Sequence, residues 1–308
     1  MSKVLKSHIA LLLVNLIYGA NFSIVKEVVP SSIQSFALVV LRAGSAAILF
    51  WVTSVFLPKE KVARKDFIML LLLGVFGVAI NQLLFIRGLE LSKPIDASII
   101  MIFNPIIVLI LEMIFLKEKV SVIRTIGIIV GISGASMLLV FKGDFSFSGP
   151  VISFGNMLIF INCISWAFFL VLVKPLMLKY RTVTIMKWVF AFGFVYVLPF
   201  GYPQLHVFDA AGIGFVAWAC IGYILVASTY LAYFLNTYAL AELTPSVASV
   251  YIYMQPVIAT IIAIALKQDK PDAMKFVSAA LVVVGIYLAG DRSRRRKNPE
   301  ADIAGAEQ

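Results

Sequence analysis

Two ionisable side chains stand inside long apolar runs of this sequence, Arg42 and Glu112. A charge at the centre of a bilayer costs at least ~3 kcal/mol, so each must face protein or water. Arg42 reads either as a structural side chain, snorkelling to the outer interface or bonding to a carbonyl or helix end, or as a fixed cation at a cavity mouth that attracts a carboxylate or phosphate. Ser98, Pro105 and Glu112 fall on one helical stripe, spaced by about two turns each. That stripe carries the internal carboxylate candidate. Glu112 is read as an interfacial glutamate near the cytoplasmic end or as a proton-coupling group.

A denser set is neutral: Asn81 and Gln82, Asn104, Tyr230, Tyr233 and Asn236, then Tyr253 with Gln255. Amides and tyrosines between membrane helices often serve only as packing glue. Concentrated on a few segments, they also suit a cavity lining, where amides donate and accept and tyrosine rings offer apolar faces. Asn15, Tyr18 and Phe22 on one face of the first run, and Asn162 with Trp166, form a second tier. One cation among neutral hydrogen-bonders suits a small neutral or zwitterionic solute such as an amino acid. It cannot offset the desolvation of a multiply charged one.

Other chemistries lack their parts. There is no Gly-rich phosphate loop and no HExxH run, and His8 and His206 sit near span ends without ligand partners, so no cofactor, metal or nucleotide is expected. Cys163 and Cys220 lie in apolar runs and read as small buried hydrophobes. A nucleophile beside a base, or paired carboxylates, is missing from the apolar segments, which argues against an intramembrane enzyme. A receptor or scaffold without transport is the other alternative, and solute flux would discriminate it.

The elements that must position these residues follow from composition. The chain has 308 residues, 61% hydrophobic and 14% charged, with mean hydropathy +0.99. A soluble domain is about 45–50% apolar and about 25% charged, so a soluble enzyme, a disordered chain and a nucleic-acid binder are all excluded. A spanning helix needs about 20 apolar residues. Charge-free runs of that length predict ten spans, at 8–26, 33–57, 67–86, 95–116, 122–141, 152–174, 184–202, 212–239, 245–266 and 274–290. Their boundaries fall at breakers and charges such as Pro30, Lys59 to Asp66, Lys93-Pro94, Lys117 to Lys119, Lys142 to Asp144, Thr244-Pro245 and Lys267 to Pro271. The first run is read as a span and not as a cleaved leader. Most of the 26 Lys and Arg residues fall on the side that carries the N-terminus, so both termini, including a basic tail at 291–308, are expected in the cytoplasm.

The two halves repeat. An offset of 151 residues lays Pro94 on Pro245, Ala97 on Ala248, Ser98 on Ser249, Pro105 on Pro256, Lys119 on Lys270 and Gly134 on Gly285. It also lays Gln82 over Tyr233 and Asn104 over Gln255. Five spans per half invert the second copy relative to the first, an architecture of secondary transporters with the substrate site where the halves meet. The predicted fold class is therefore an all-α membrane protein of ten transmembrane helices in two inverted five-helix repeats, 8–141 and 152–290. Pro105 and Pro256 each remove a backbone donor in mid-span and read as paired gating kinks. Gly127, Gly131 and Gly134 read as a small-residue packing face.

Tyr18-Gly19-Ala20-Asn21-Phe22 with Lys26, Arg42 in the second span, Asn104-Pro105 running into Phe115-Leu116-Lys117-Glu118-Lys119, and the three glycines resemble the EamA-type repeat of the drug/metabolite transporter superfamily. The second half departs from the pattern at Lys267-Gln268-Asp269-Lys270 and has no counterpart of Arg42. The resemblance implies a ten-helix inner-membrane protein with an enclosed central cavity, an exporter of small metabolites whose partners are solute and lipid.

Overall fold

The structure, a computed structural model, describes residues 2–117, 121–140, 154–265 and 272–290. The turn markers at Lys119, Lys142 to Asp144 and Lys267 to Lys270, and the basic tail, lie outside the described residues. All regular structure among the described residues is helical: α1 (Lys3–Val28), α2 (Ser35–Val55), α3 (Arg64–Leu91), α4 (Pro94–Met101), α5 (Asn104–Phe115), α6 (Val122–Val140), α7 (Phe154–Met177), α8 (Thr182–His206), α9 (Phe215–Glu242), α10 (Pro245–Val250), α11 (Met254–Ala265) and α12 (Ala273–Gly290). Among the described residues, eight stretches are long and apolar enough to cross a bilayer, with a shorter apolar helix at Val122–Leu138. Large apolar side chains such as Val55 and Phe215 stand exposed at 78% and 88%, as a lipid-facing surface requires. The chain is a multi-pass membrane protein.

Two of the expected spans are broken. The stretch predicted at 95–116 stops at Met101 and restarts at Asn104, and the one at 245–266 passes through a tight turn of three-residue pitch at Tyr251–Tyr253. Proline is the cause: it offers no N–H to the carbonyl four residues back, and its ring crowds that carbonyl. Pro105 and Pro256 therefore sit in the first turn of α5 and α11, where a missing donor costs nothing, and each break lies one turn ahead of its proline.

Two further irregularities carry no sequence mark. α3 widens into a π turn at Val75–Ala79, and α9 does the same at Val226–Leu231. These segments occupy corresponding places in the two halves. A π turn frees carbonyls from the helical ladder, and here hydroxyls take them: Ser165 donates to Phe76 O at 2.6 Å, and Thr229 donates to Ile224 O at 2.7 Å.

Lysines finish the third helix of each half. Lys26 Nζ donates to Glu90 O at the end of α3, and Lys174 Nζ donates to Leu240 O and Leu243 O at the end of α9. Orphan carbonyls and the negative end of the helix dipole both favour a cation there. The start of α2 is served from outside, because Gln34 makes no cap; Gln204 Oε1 of α8 accepts from Phe36 N and Ala37 N.

The most extensive contacts all join the first half to the second: α6 with α12, α2 with α8, α3 with α7, and α1 with α9. The α6–α12 contact brings backbone against backbone at several glycines. A Cβ on Gly127 would lie 2.7 Å from Gly285 O, one on Gly285 2.6 Å from Gly131 N, and one on Gly134 2.7 Å from Ser278 O. At one end the halves are also tied by polar groups, where Asp66 accepts from Tyr180 Oη at 2.8 Å and pairs with Lys179 Nζ at 3.0 Å.

Candidate functional site: a cavity between the two halves

A cavity with about 720 Å³ of empty space, its mouth included, opens where α1, α3, α7 and α9 meet the two broken rods. The breaks put side chains from both rods on its wall: Met101 and Asn104 from the first, Ala248, Ser249, Ile252 and Gln255 from the second. Of the residues singled out by sequence, Asn81, Asn104, Tyr233, Asn236, Gln255 and Arg42 come together here, with Asn15, Tyr18, Phe22, Asn162 and Trp166 of the second tier.

The wall is held by its own hydrogen bonds. Gln255 Nε2 donates to Asn15 Oδ1 at 3.0 Å, and Asn15 Nδ2 donates to Leu11 O at 2.8 Å, which ties α11 to α1. Asn162 Nδ2 reaches Asn81 O at 2.8 Å, and Asn104 Nδ2 reaches Cys163 O at 3.0 Å, so α7 anchors both α3 and α5. The Tyr233 hydroxyl lies 2.8 Å from Gly77 O, a carbonyl of the α3 π turn, and 3.0 Å from Asn81 Oδ1. Trp166 stands edge-on to the Tyr233 ring with centroids 5.3 Å apart, and stacks on Phe169 at 5.0 Å. The result is an amide-rich chamber with one aromatic wall.

Arg42 does not snorkel. It is 4% exposed, and its Nε donates to Thr229 Oγ1 in the π turn of α9 at 2.9 Å. It is the one charged residue among the described residues on the cavity wall.

Four expected site residues lie elsewhere. Tyr253 is fully buried, its ring pressed on Gly131 in a separate cluster between α6 and α12. The tight turn aims it away from the face that carries Ile252 and Gln255. Tyr230 bonds Thr53 of α2 at 2.7 Å and packs on Phe50; the wider π turn breaks the three-residue relation that would place it beside Tyr233. Gln82, buried, is one helical step round from Asn81, about 100° off the wall. Ser98 is off the wall although its repeat partner Ser249 is on it.

Glu112 is not on the cavity wall. It is 1% exposed and faces Arg124 of α6, with Nη1 3.5 Å from Oε2. His8 likewise has a partner, since its Nδ1 lies 2.6 Å from the Tyr251 hydroxyl. Both cysteines are free, Cys163 buried as expected and Cys220 half-buried.

Sequence reasoning missed Asn21, Phe85, Met101, Leu170 and Ser249 on the wall. Asn21 had a usable signal, because it follows Tyr18 by three residues and so shares its face. Ser249 had one in its repeat register with Ser98.

A cavity walled by both halves of a bundle of apolar helices is the arrangement of a membrane carrier. The sequence matches the EamA-like transporter family over residues 5–140 and again over 153–290, and the chain belongs to that family. It is 25% identical over 247 residues to the "Uncharacterized transporter YetK" of Bacillus subtilis, covering 80% of this chain and 74% of that protein. It is 24% identical over 242 residues to a "Probable terminal-alkyne amino-acid exporter" of Streptantibioticus cattleyicolor, covering 78% of each. A solved crystal structure, 16% identical, superposes with a TM-score of 0.72 over 94% of this chain and 96% of the other, which shows a shared fold.

Proposed function

We propose that this membrane transporter exports small neutral or zwitterionic metabolites of amino-acid type by alternating access across the inner membrane, with both termini cytoplasmic. In this reading ten spans form two inverted five-helix repeats, 8–141 and 152–290, and the breaks before Pro105 and Pro256 are the joints of the gate. The observation that carries it is the chamber itself, rich in uncharged amides and built from both halves. The amino-acid exporter among the relatives supports the substrate class. Glu112, held against Arg124, is the group through which a proton gradient would couple.

The test is a panel of labelled amino acids, drugs and sugar phosphates in proteoliposomes. Amino acids should move in preference, and Asn104→Ala and Gln255→Ala should each lower the rate about tenfold, the worth of one buried hydrogen bond. Preferred flux of sugar phosphates, or full activity in both variants, would overturn the substrate assignment. Absence of flux for every solute would favour a receptor or scaffold.

A further inference from the structure

We infer that Arg42 anchors a single carboxylate of the transported solute, so that the cavity selects monocarboxylates over the amines, esters and phosphate esters that carry the same side chain. The inference rests on the transporter reading and sharpens its substrate class.

The guanidinium is built into a fixed pose. Thr229 donates its hydroxyl hydrogen to Ile224 O, which leaves its oxygen as the acceptor for Arg42 Nε. Nη1 has no hydrogen-bond partner among the described residues, though the residue is 4% exposed and borders the cavity. Tyr18 and Tyr233 lie within electrostatic reach, but as neutral phenols they do not balance its charge. No Asp or Glu lines the cavity among the described residues. A buried charge without a counter-charge is costly, and the missing partner is an anion that arrives with the solute.

The size of that charge narrows the anion. One carboxylate cancels one guanidinium and accepts from it in a charge-assisted bond. A phosphate ester brings about −1.5 to −2, more than a single cation offsets. An amine adds a second positive charge to a wall that has no acid. The ammonium of a zwitterion is still served, because Asn21, Asn104 and Asn236 each hold a buried Oδ1 with no donor among the described residues.

The experiment compares five labelled solutes with one side chain in proteoliposomes: leucine, its methyl ester, the corresponding amine, the corresponding 2-oxo acid and the corresponding phosphate ester. Leucine and the oxo acid should move at least about tenfold faster than the ester, the amine and the phosphate, the worth of one charged hydrogen bond. This comparison uses the unmodified protein and does not depend on a variant folding. Arg42→Gln should remove the preference. Thr229→Val, which frees the guanidinium from its mooring, should raise KM for the acids several-fold with little change in kcat, and Thr229→Ser should restore it. Equal rates for acid, ester and amine would overturn the Arg42 assignment while leaving the transporter intact. Flux of none of the five, with flux of other solutes, would overturn the substrate class and this inference with it; no flux of anything would overturn the transporter reading as well.

Discussion

Leucine in place of Gly285 should keep the protein from accumulating in membranes as a folded species. An added Cβ at that position lies 2.6 Å from Gly131 N and 2.7 Å from Gly127 O, both backbone atoms that cannot rotate aside. Overpacking a core costs about 1–3 kcal/mol when side chains can give way; here two helix axes must separate, so at least about 3 kcal/mol is expected. Without a hydrophobic force between helices in lipid, close backbone approach is much of what holds them. Thermal unfolding in detergent should fall by well over 5 °C, or the variant should be degraded. Gly222, which has open space around its Cβ position, is the control, and Gly222→Ala should change nothing. A Gly285→Leu protein with unchanged melting would mean that α6 and α12 do not pack as closely as described.

Methionine in place of Lys174 should be the second most damaging change. The ammonium satisfies two carbonyls at the end of α9, Leu240 O and Leu243 O, and methionine matches its length without offering a donor. A buried carbonyl left without its charged donor costs about 1–3 kcal/mol, so the loss should reach about 3 kcal/mol. Lys26→Met removes one such bond, to Glu90 O, and should cost about half as much. Melting temperatures of the two variants measure the ratio. Equal effects would show that the second carbonyl contributes nothing.

Eight of the ten predicted spans are matched by helices long and apolar enough to cross a bilayer among the described residues, and they were legible because hydrophobic length is a one-dimensional quantity, interrupted only where charge or proline interrupts it. The positions of both broken rods were legible for the same reason, since Pro105 and Pro256 announce them. Facing was not. A helix apolar on all sides carries no amphipathic stripe, so Tyr253 and Gln255 look equally fit for a cavity, and only the tight turn at Tyr251–Tyr253 separates them. Tyr230 and Tyr233 were confused because a π turn has no composition of its own. The partners of the two internal charges were hidden by distance along the chain or by their place on another helix. Thr229 stands far from Arg42 in sequence, and Arg124, buried against Glu112, stands on the next helix.

The two π turns also bear on how these helices can change length. A π turn is the trace of one surplus residue, absorbed locally so that the helix beyond it keeps its facing. A deletion inside Val75–Ala79 would take up that surplus and leave Asn81 and Phe85 turned toward the chamber. A deletion beyond the turn, between Asn81 and Phe85, would swing everything after it by about 100°. What the first deletion gives up is local: the loosened carbonyls of Phe76 and Gly77, to which α7 and α9 are moored through Ser165 and Tyr233. The surplus residue thus exchanges a regular helix for two docking points, and places the tolerance to insertion and deletion in the middle of the span, where a membrane helix would otherwise have none.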